Sequence, residues 1–389
     1  MELQILSESF TGGAVDILLK HKVNQCILSF FIACFLSIVS IPVIINLSNL
    51  LNLNAKPGFR SSHEGATPTL GGIAIFASTI IAFFLWPHAD ETNPANIVGL
   101  SVVGLTILFF LGLKDDILAL DPTKKLVIQI CASLTLVVLG NFKIEYLYGI
   151  FGWYFIPDIV SIPLTIFVFI ALINAINLID GIDGLAGGIA LIAGLILGTW
   201  FMLGSHYVFA CLAYSMSGAL LGFLRFNFSK TSKIFMGDTG SLVVGFLLSI
   251  FSVEFLRINV ANRHEPDALT NAPIILLLIL IVPIFDTLRV FIVRLAKGKS
   301  PFLADRNHMH HILLDNGLTH FQASLLLWLA TVVNVILFFI YHGDISNTTS
   351  IIIYICLFGF YMVAAYVLKR RGLIVVGKKI PNAVRSSGN

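Results

Sequence analysis

Apolar residues run along this chain in long blocks, and polar residues gather in short clusters between them. A block of about 18 or more apolar residues can cross a bilayer as a helix. About eleven such blocks are present, near 25–48, 70–87, 96–113, 124–141, 158–178, 185–204, 207–224, 240–256, 272–295, 321–341 and 350–368. The pattern predicts an all-α polytopic integral membrane protein. The amphipathic surfaces that a large soluble helical core needs are missing. The connections are short, so residues 1–389 are expected to form a single transmembrane domain with its core at 25–368. No internal repeat or low-complexity tract is found. The first residues lack the basic start and apolar run of a cleaved signal peptide.

Composition sharpens the class. Only 12% of residues are charged, against about 25% in a soluble domain. Cys26, Cys34, Cys131, Cys211 and Cys356 lie in or beside apolar blocks, without a CxxC. They read as small buried hydrophobes, with neither a disulfide framework nor a zinc site. Lys and Arg collect in alternate loops, from Lys56 and Arg60 through Lys124, Lys125 and Arg225 to Lys369, Arg370 and Arg371. The other loops hold only Lys20, Lys22, Lys143, Arg257 and Arg263. The positive-inside rule makes the basic loops cytosolic, which puts the N-terminus outside and the C-terminus inside. The net charge of +3 is then a matter of topology, and no nucleic-acid partner is expected.

The same loops hold the polar chemistry. "LGLKDDILALDPTKK" carries Asp115 and Asp116 at the end of a span, and "NAINLIDGIDGLAGG" carries Asn174, Asn177, Asp180 and Asp183 between two spans. "KIFMGDTGSL" places Asp238 at the start of a span, and "ADRNHMHHILLDNGLTH" brings Arg306, His308, His310 and His311. The first loop adds His63, Gly71 and Gly72.

Each cluster has a plainer reading. An acid at a helix end is often a cap or a solvated boundary residue, and Asp238 is open to that reading. It is weaker for Asp115 and Asp116, because adjacent carboxylates repel unless a cation or a shared proton holds them. Asp180 and Asp183, three apart, would share one face of a helical turn. No Walker loop and no GxGxxG occurs. Hard carboxylate oxygens suit Mg²⁺, with Mn²⁺ an alternative, and Mg²⁺ takes only one or two protein carboxylates. Without HExxH, the imidazoles are better placed to contact phosphate or move a proton than to hold zinc. Lys125 is either an interfacial anchor or a contact to an anionic lipid head group. Asp286 lies deeper in its span with Arg289 three residues on, and an internal ion pair is favoured over a sugar contact. Together the clusters point to Mg²⁺-assisted phosphoryl chemistry at the cytosolic membrane surface.

In this order, "DDILALDPTKK", "NAINLIDGIDGLAGG", "FMGDTGSL" and "DRNHMHHILLDNGL" resemble the polyprenyl-phosphate N-acetylhexosamine-1-phosphate transferases over nearly the whole chain. "PIFDTLRV" and a histidine run broken by Met309 look like the WecA/TagO-type branch, which uses UDP-N-acetylglucosamine. The resemblance implies transfer of a sugar 1-phosphate from a UDP-sugar to undecaprenyl phosphate, with release of UMP, in a bacterial inner membrane. It makes Asp238 the leading Mg²⁺ ligand and puts Asp115 and Asp116 at the lipid phosphate and metal, with Asp115 as base. It lines the nucleotide-sugar site with Asn174, Asn177, Asp180 and Asp183, and stacks Phe235 on uracil. His308, His310 and His311 would bind the diphosphate beside Arg306, with a catalytic part for His308, and Lys125 would hold lipid phosphate. The run "NLNAKPGFRSSHEG", with Asn54 and a single nearby Arg60, departs from the family's acidic residue and basic pair. A homodimer is compatible with the sequence, but no motif specifies one.

Three rivals are weighed. A CDP-alcohol phosphotransferase fits poorly, because no Asp follows Asp183 until Asp238. An ion-coupled transporter would place its acids near the bilayer midplane, often in repeated halves. The sister branch that takes UDP-MurNAc-pentapeptide typically shows three consecutive histidines, and only the sugar substrate separates the two.

Overall fold

The computed structural model describes residues 21–51, 54–55, 67–86, 94–263, 269, 271–298, 307–341 and 346–379. Arg306, Arg60, His63 and the rest of the first loop between 56 and 66 lie outside them. The chain begins with α1 (Lys22–Leu50), a short ribbon of β1 (Asn54–Ala55) and β2 (Thr67–Pro68), then α2 (Gly71–Phe84) and α3 (Pro94–Leu118). Next come α4 (Pro122–Leu134), which ends in a π-helical turn at Thr135–Leu139, and a hairpin of β3 (Tyr146–Ile150) and β4 (Trp153–Phe155). Four helices follow: α5 (Asp158–Ile179), α6 (Leu185–Leu203), α7 (Tyr207–Asn227) and α8 (Gly237–Ala261). The chain continues through α9 (Ala272–Ile279), α10 (Ile281–Leu295), α11 (Met309–Asp315), α12 (His320–Tyr341) and α13 (Asn347–Lys379).

Each of the eleven apolar blocks falls on helix. Among the described residues, nine helices are long and apolar enough to cross a membrane. The other two blocks differ. α2 has only 14 residues, and the block at 272–295 is broken into α9 and α10, which bend by 79° at Leu280. Two small ribbons interrupt an otherwise helical fold.

Burial orders the helices. The apolar window of α8 is 89% buried inside the protein and that of α13 only 6%, so α8 is the central post and α13 lies at the periphery. On α1, exposed Phe31, Phe35, Val39, Val43 and Leu47 recur every fourth residue and form one apolar stripe away from the core. The post is reached by close backbone approach. A Cβ on Gly72 of α2 would lie 2.1 Å from the Gly240 nitrogen of α8, and one on Gly112 of α3 would lie 2.4 Å from Thr239 Cα. Small residues at these two points let α2 and α3 touch the start of α8, as at close helix contacts in membranes.

Candidate active site

The start of α8 is the centre of the site. Its first N–H groups have no helical acceptor. Asp116, at the end of α3, supplies one. Its Oδ1 accepts from Asp238 N at 2.8 Å, and its Oδ2 accepts from Thr239 N at 3.0 Å and Thr239 Oγ1 at 2.6 Å. A carboxylate here also answers the positive end of the helix dipole. Gly237, at φ +70°, makes the entry turn, and a Cβ there would lie 2.7 Å from Asp116 Oδ2 and 2.1 Å from Thr69 O.

Asp238 faces the other way. Its Oδ1 accepts from Asn177 Nδ2 at 2.8 Å, and that amide also reaches Ser241 Oγ at 2.8 Å. Its Oδ2 meets Lys125 Nζ at 2.8 Å. The same ammonium is ion-paired with Asp115 Oδ2, while Asp115 Oδ1 accepts from Leu120 N at 2.6 Å. Lys125 stands one turn into α4, whose start is fixed by Pro122 and by Asp121 accepting from Thr123 N at 2.9 Å. One lysine thus bridges two carboxylates 123 positions apart in sequence, Asp115 and Asp238.

Asp180 and Asp183 occupy the turn between α5 and α6. The expectation of a shared helical face does not hold, because α5 ends at Ile179 and α6 begins at Leu185. The turn splits the two acids. Asp180 is held toward Asp116 and Asp238, and burial, together with the charges of Asp238, Asp116 and Asp183, pushes its carboxyl well above the ordinary carboxylate range. Among the described residues, no group donates a hydrogen bond to that carboxylate. Asp183 instead pairs with Lys233 Nζ at 2.6 Å and His320 Nδ1 at 3.2 Å, and its carbonyl accepts from Ser324 Oγ at 2.7 Å. Asn227 ties this turn to the loop before α8. It accepts from Gly184 N at 2.6 Å and donates to Ile234 O at 2.9 Å.

Phe235 is half-buried beside Asp238, with Lys233 Nζ 5.4 Å from its ring centre. Its backbone is pinned by Pro68 and Gly71, at 2.8 and 3.0 Å. Asn174 lies one turn before Asn177 and donates to Gln129 Oε1 at 2.8 Å and Ile170 O at 2.8 Å. It therefore braces α5 against α4 and does not meet Asp238.

The histidines join through Gly181. A Cβ there would lie 2.4 Å from His310 Nε2, so the imidazole rests on the turn itself. His310 is 1% exposed. Burial holds its pKa down at about 3, so the ring is neutral. Its Nδ1 has no partner among the described residues. His308 stacks on it at 5.6 Å with rings 13° apart, and His311 lies 4.3 Å from it. His308 Nδ1 is 2.9 Å from Asp286 Oδ2, and Arg289 pairs with Asp286 at 3.2 Å, so the internal ion pair expected for Asp286 is present and includes a histidine.

Asp115, Asp116, Lys125, Asn177, Asp180 and Asp238 thus converge at one end of the bundle, with Asp183, Phe235 and the histidines around them. Lys233, His320, Asn227 and Gln129 complete the site but were not singled out from sequence. His320 closes the "LLDNGLTH" run and Lys233 opens "KIFMGDTGSL", so both stood inside motifs already marked. Among the described residues no group of three or more His, Cys, Asp or Glu is arranged to hold a metal ion. The donor set nonetheless suits a hard cation that takes one or two carboxylates. Asp115 and Asp238 share one ammonium, Asp116 and Asp180 lie beside them, and no group among the described residues donates a hydrogen bond to Asp180.

A family model described as glycosyl transferase family 4 matches residues 98–256, from α3 to near the end of α8. The undecaprenyl-phosphate alpha-N-acetylglucosaminyl 1-phosphate transferase of Escherichia coli O157:H7 is 29% identical over 279 residues, 71% of this chain and 72% of that one. The protein of the same description from Salmonella typhi is 29% identical over 287 residues, 73% and 75% of the two chains. A probable undecaprenyl-phosphate N-acetylglucosaminyl 1-phosphate transferase of Bacillus subtilis is 28% identical over 319 residues, 80% and 84%.

Proposed function

We propose that the chain, which matches the glycosyl transferase family 4 model over residues 98–256, transfers N-acetylglucosamine 1-phosphate from UDP-N-acetylglucosamine to undecaprenyl phosphate. The carrying observation is that Lys125 pairs with both Asp115 and Asp238, that Asn177 holds Asp238, and that Asp116 and Asp180 lie beside them at one end of the apolar bundle. A lipid substrate lies along apolar helices and a nucleotide comes from water, so the reaction belongs where both are reachable. On the charge rule this end faces the cytosol at the inner membrane.

The step is a displacement at phosphorus. An oxygen of the lipid phosphate attacks the phosphorus that carries the sugar, and a new P–O bond forms. The bond from that phosphorus to the oxygen shared with the uridine phosphate breaks, and UMP leaves with the electron pair. Both partners are anions, so the site has to position them in line and offset their repulsion. Lys125 offers its ammonium to the lipid phosphate. Asp115, beside it, takes the proton of that phosphate. Asn177 and Asp180 floor the donor site, Asp183 and Phe235 hold the uridine end, and His308, His310 and His311 meet the diphosphate, with Arg306 assigned beside them. Asp238 and Asp116 would hold Mg²⁺, which supplies positive charge at the phosphates when bound. The buried Nδ1 of His310 supports this reading, because it has no partner among the described residues, and a polar atom left unpaired costs about 1–3 kcal/mol.

The test is UMP release by the purified protein with undecaprenyl phosphate, Mg²⁺ and either UDP-N-acetylglucosamine or UDP-MurNAc-pentapeptide. Turnover with the first alone, lost in Asp115→Asn and Asp238→Asn, is expected. Turnover with the pentapeptide donor alone would reverse the sugar assignment and keep the chemistry. No UMP from either donor in folded protein would overturn the transferase reading.

A further inference from the structure

Asp286 lies on α10 with 1% of its surface exposed, and His308 precedes α11 with 6% exposed. The two are joined twice. Asp286 Oδ2 is 2.9 Å from His308 Nδ1, and Oδ1 accepts from Met309 N at 2.7 Å. His308 is the residue before the first turn of α11, and its own side chain does not cap that helix. Asp286 therefore caps α11 from another helix and holds the ring next to the cap. Arg289 Nη2 reaches the same Oδ1 at 3.2 Å and also donates to Asn307 O. With a backbone N–H and a guanidinium on one oxygen, the carboxylate is an acceptor. The proton between Oδ2 and the ring then belongs to His308 Nδ1. The other nitrogen, Nε2, is on the opposite ring edge, unprotonated in the neutral ring and able to accept.

We propose that Asp286 is a positioning residue that fixes His308 as the Nδ1–H tautomer and so presents Nε2 as an acceptor to the phosphoryl site. The inference rests on the transferase reading for what Nε2 meets, and on geometry alone for the tautomer. His308 stacks on His310, which rests on Gly181 in the turn between Asp180 and Asp183. The ring set by Asp286 is therefore in register with the acidic turn. A carboxylate that orients an imidazole through Nδ1 is an established way to fix the reactive nitrogen. In Asp286→Asn, the amide oxygen can still accept from Met309 N, while the amide N–H donates to Nδ1. The fold is kept and the tautomer is reversed.

The experiment uses the full chain in nanodiscs, labelled with ¹⁵N-histidine, with the His308 signal assigned by its loss in His308→Gln. At a pH where the ring is neutral, wild-type His308 is expected to carry its proton on Nδ1, and Asp286→Asn to move it to Nε2. In the UMP assay Asp286→Asn should lower kcat about 10²-fold with little change in KM for UDP-N-acetylglucosamine. In a His308→Gln background the same substitution should cost nothing further, because both changes remove one function. A wild-type ring protonated on Nε2 would overturn the proposal. So would losses from the two substitutions that multiply, since Asp286 would then act independently of His308. Wild-type protein with the Nδ1–H ring but no UMP release would sink the transferase reading and uphold the tautomer assignment.

Discussion

The seam between α2 and α8 offers a sharp test of how tightly the site is held. A Cβ added at Gly72 would meet Gly240 N at 2.1 Å, Gly240 Cα at 2.6 Å and Thr239 C at 2.6 Å. All three are backbone atoms, so no rotamer change relieves the clash. Ordinary contact begins at 3.4 Å, so the two helices must part by about 1.3 Å, the difference between 3.4 and 2.1. Gly240 is two residues after Asp238, whose carboxylate meets Lys125 and Asn177 at 2.8 Å each. A shift of that size breaks those contacts. Overpacking of this kind costs about 1–3 kcal/mol, and displacing a reacting group by about 1 Å costs about 10²-fold in rate. Gly72→Ala should therefore lower both the melting temperature and kcat for UMP release. Gly99→Ala is the control. It lies on α3 with nothing within 4 Å of its added Cβ, and relief of glycine's helix penalty should stabilise the protein by about 0.5–1 kcal/mol. A Gly72→Ala protein with wild-type kcat and melting temperature would refute the claim that this seam fixes Asp238.

Three other outcomes follow from the charges. The carboxyl of Asp180 is raised, so the folded state holds its proton above the ordinary carboxylate range and loses stability as pH rises through that raised value. Asp180→Asn should then raise the melting temperature of the ligand-free protein at neutral pH, flatten its pH dependence and abolish UMP release; a lower melting temperature would contradict the placement. His310 is depressed to about 3, so the unfolded chain takes up a proton first as pH falls below about 6.5, and stability should drop by about 1.4 kcal/mol per pH unit between those values. His310→Gln should remove that contribution in melting curves taken from pH 7 to 4. Lys125→Met leaves Asp115 and Asp238 facing one another, and the partly exposed pair should cost about 1–3 kcal/mol. Added Mg²⁺ should restore more melting temperature to this variant than to wild type, and equal shifts would argue against a cation site at these acids.

The spans could be read from sequence because burial in lipid demands long apolar blocks, whatever their partners. The polar loops that meet at the candidate site could be picked out because rare polar residues in such a chain stand out at the ends of those blocks. What brings these loops together was not legible. The Lys125 bridge, the Asn177 amide on Asp238 and the Asp286 cap of α11 join residues 61 to 123 positions apart or on separate helices. No periodicity encodes such contacts. The break at Leu280 escaped for a related reason. The run "APIILLLILIVPIFD" is apolar throughout and keeps its composition across the 79° bend. The split of Asp180 from Asp183 was hidden by assuming helical spacing across glycines that end the helix.

These contacts also bear on why the site keeps its shape. A half-buried carboxylate among like charges, with no hydrogen-bond donor among the described residues, and a buried imidazole with a nitrogen unpaired among those residues both work against the ligand-free fold. If the acidic end were held only by its own polar contacts, it would relax by turning Asp180 and His310 toward water. It is held instead by features that do not take part in the chemistry. Gly72 and Gly112 lock α2 and α3 onto the start of α8, and the buried window of α8 anchors that start to the core. On the proposed function, the penalty at the acids would be a store of affinity for positive charge and for donors, to be released by substrate phosphates and a cation. On this argument, substitutions that stabilise the resting site should weaken function, while those that loosen the glycine seams should weaken both.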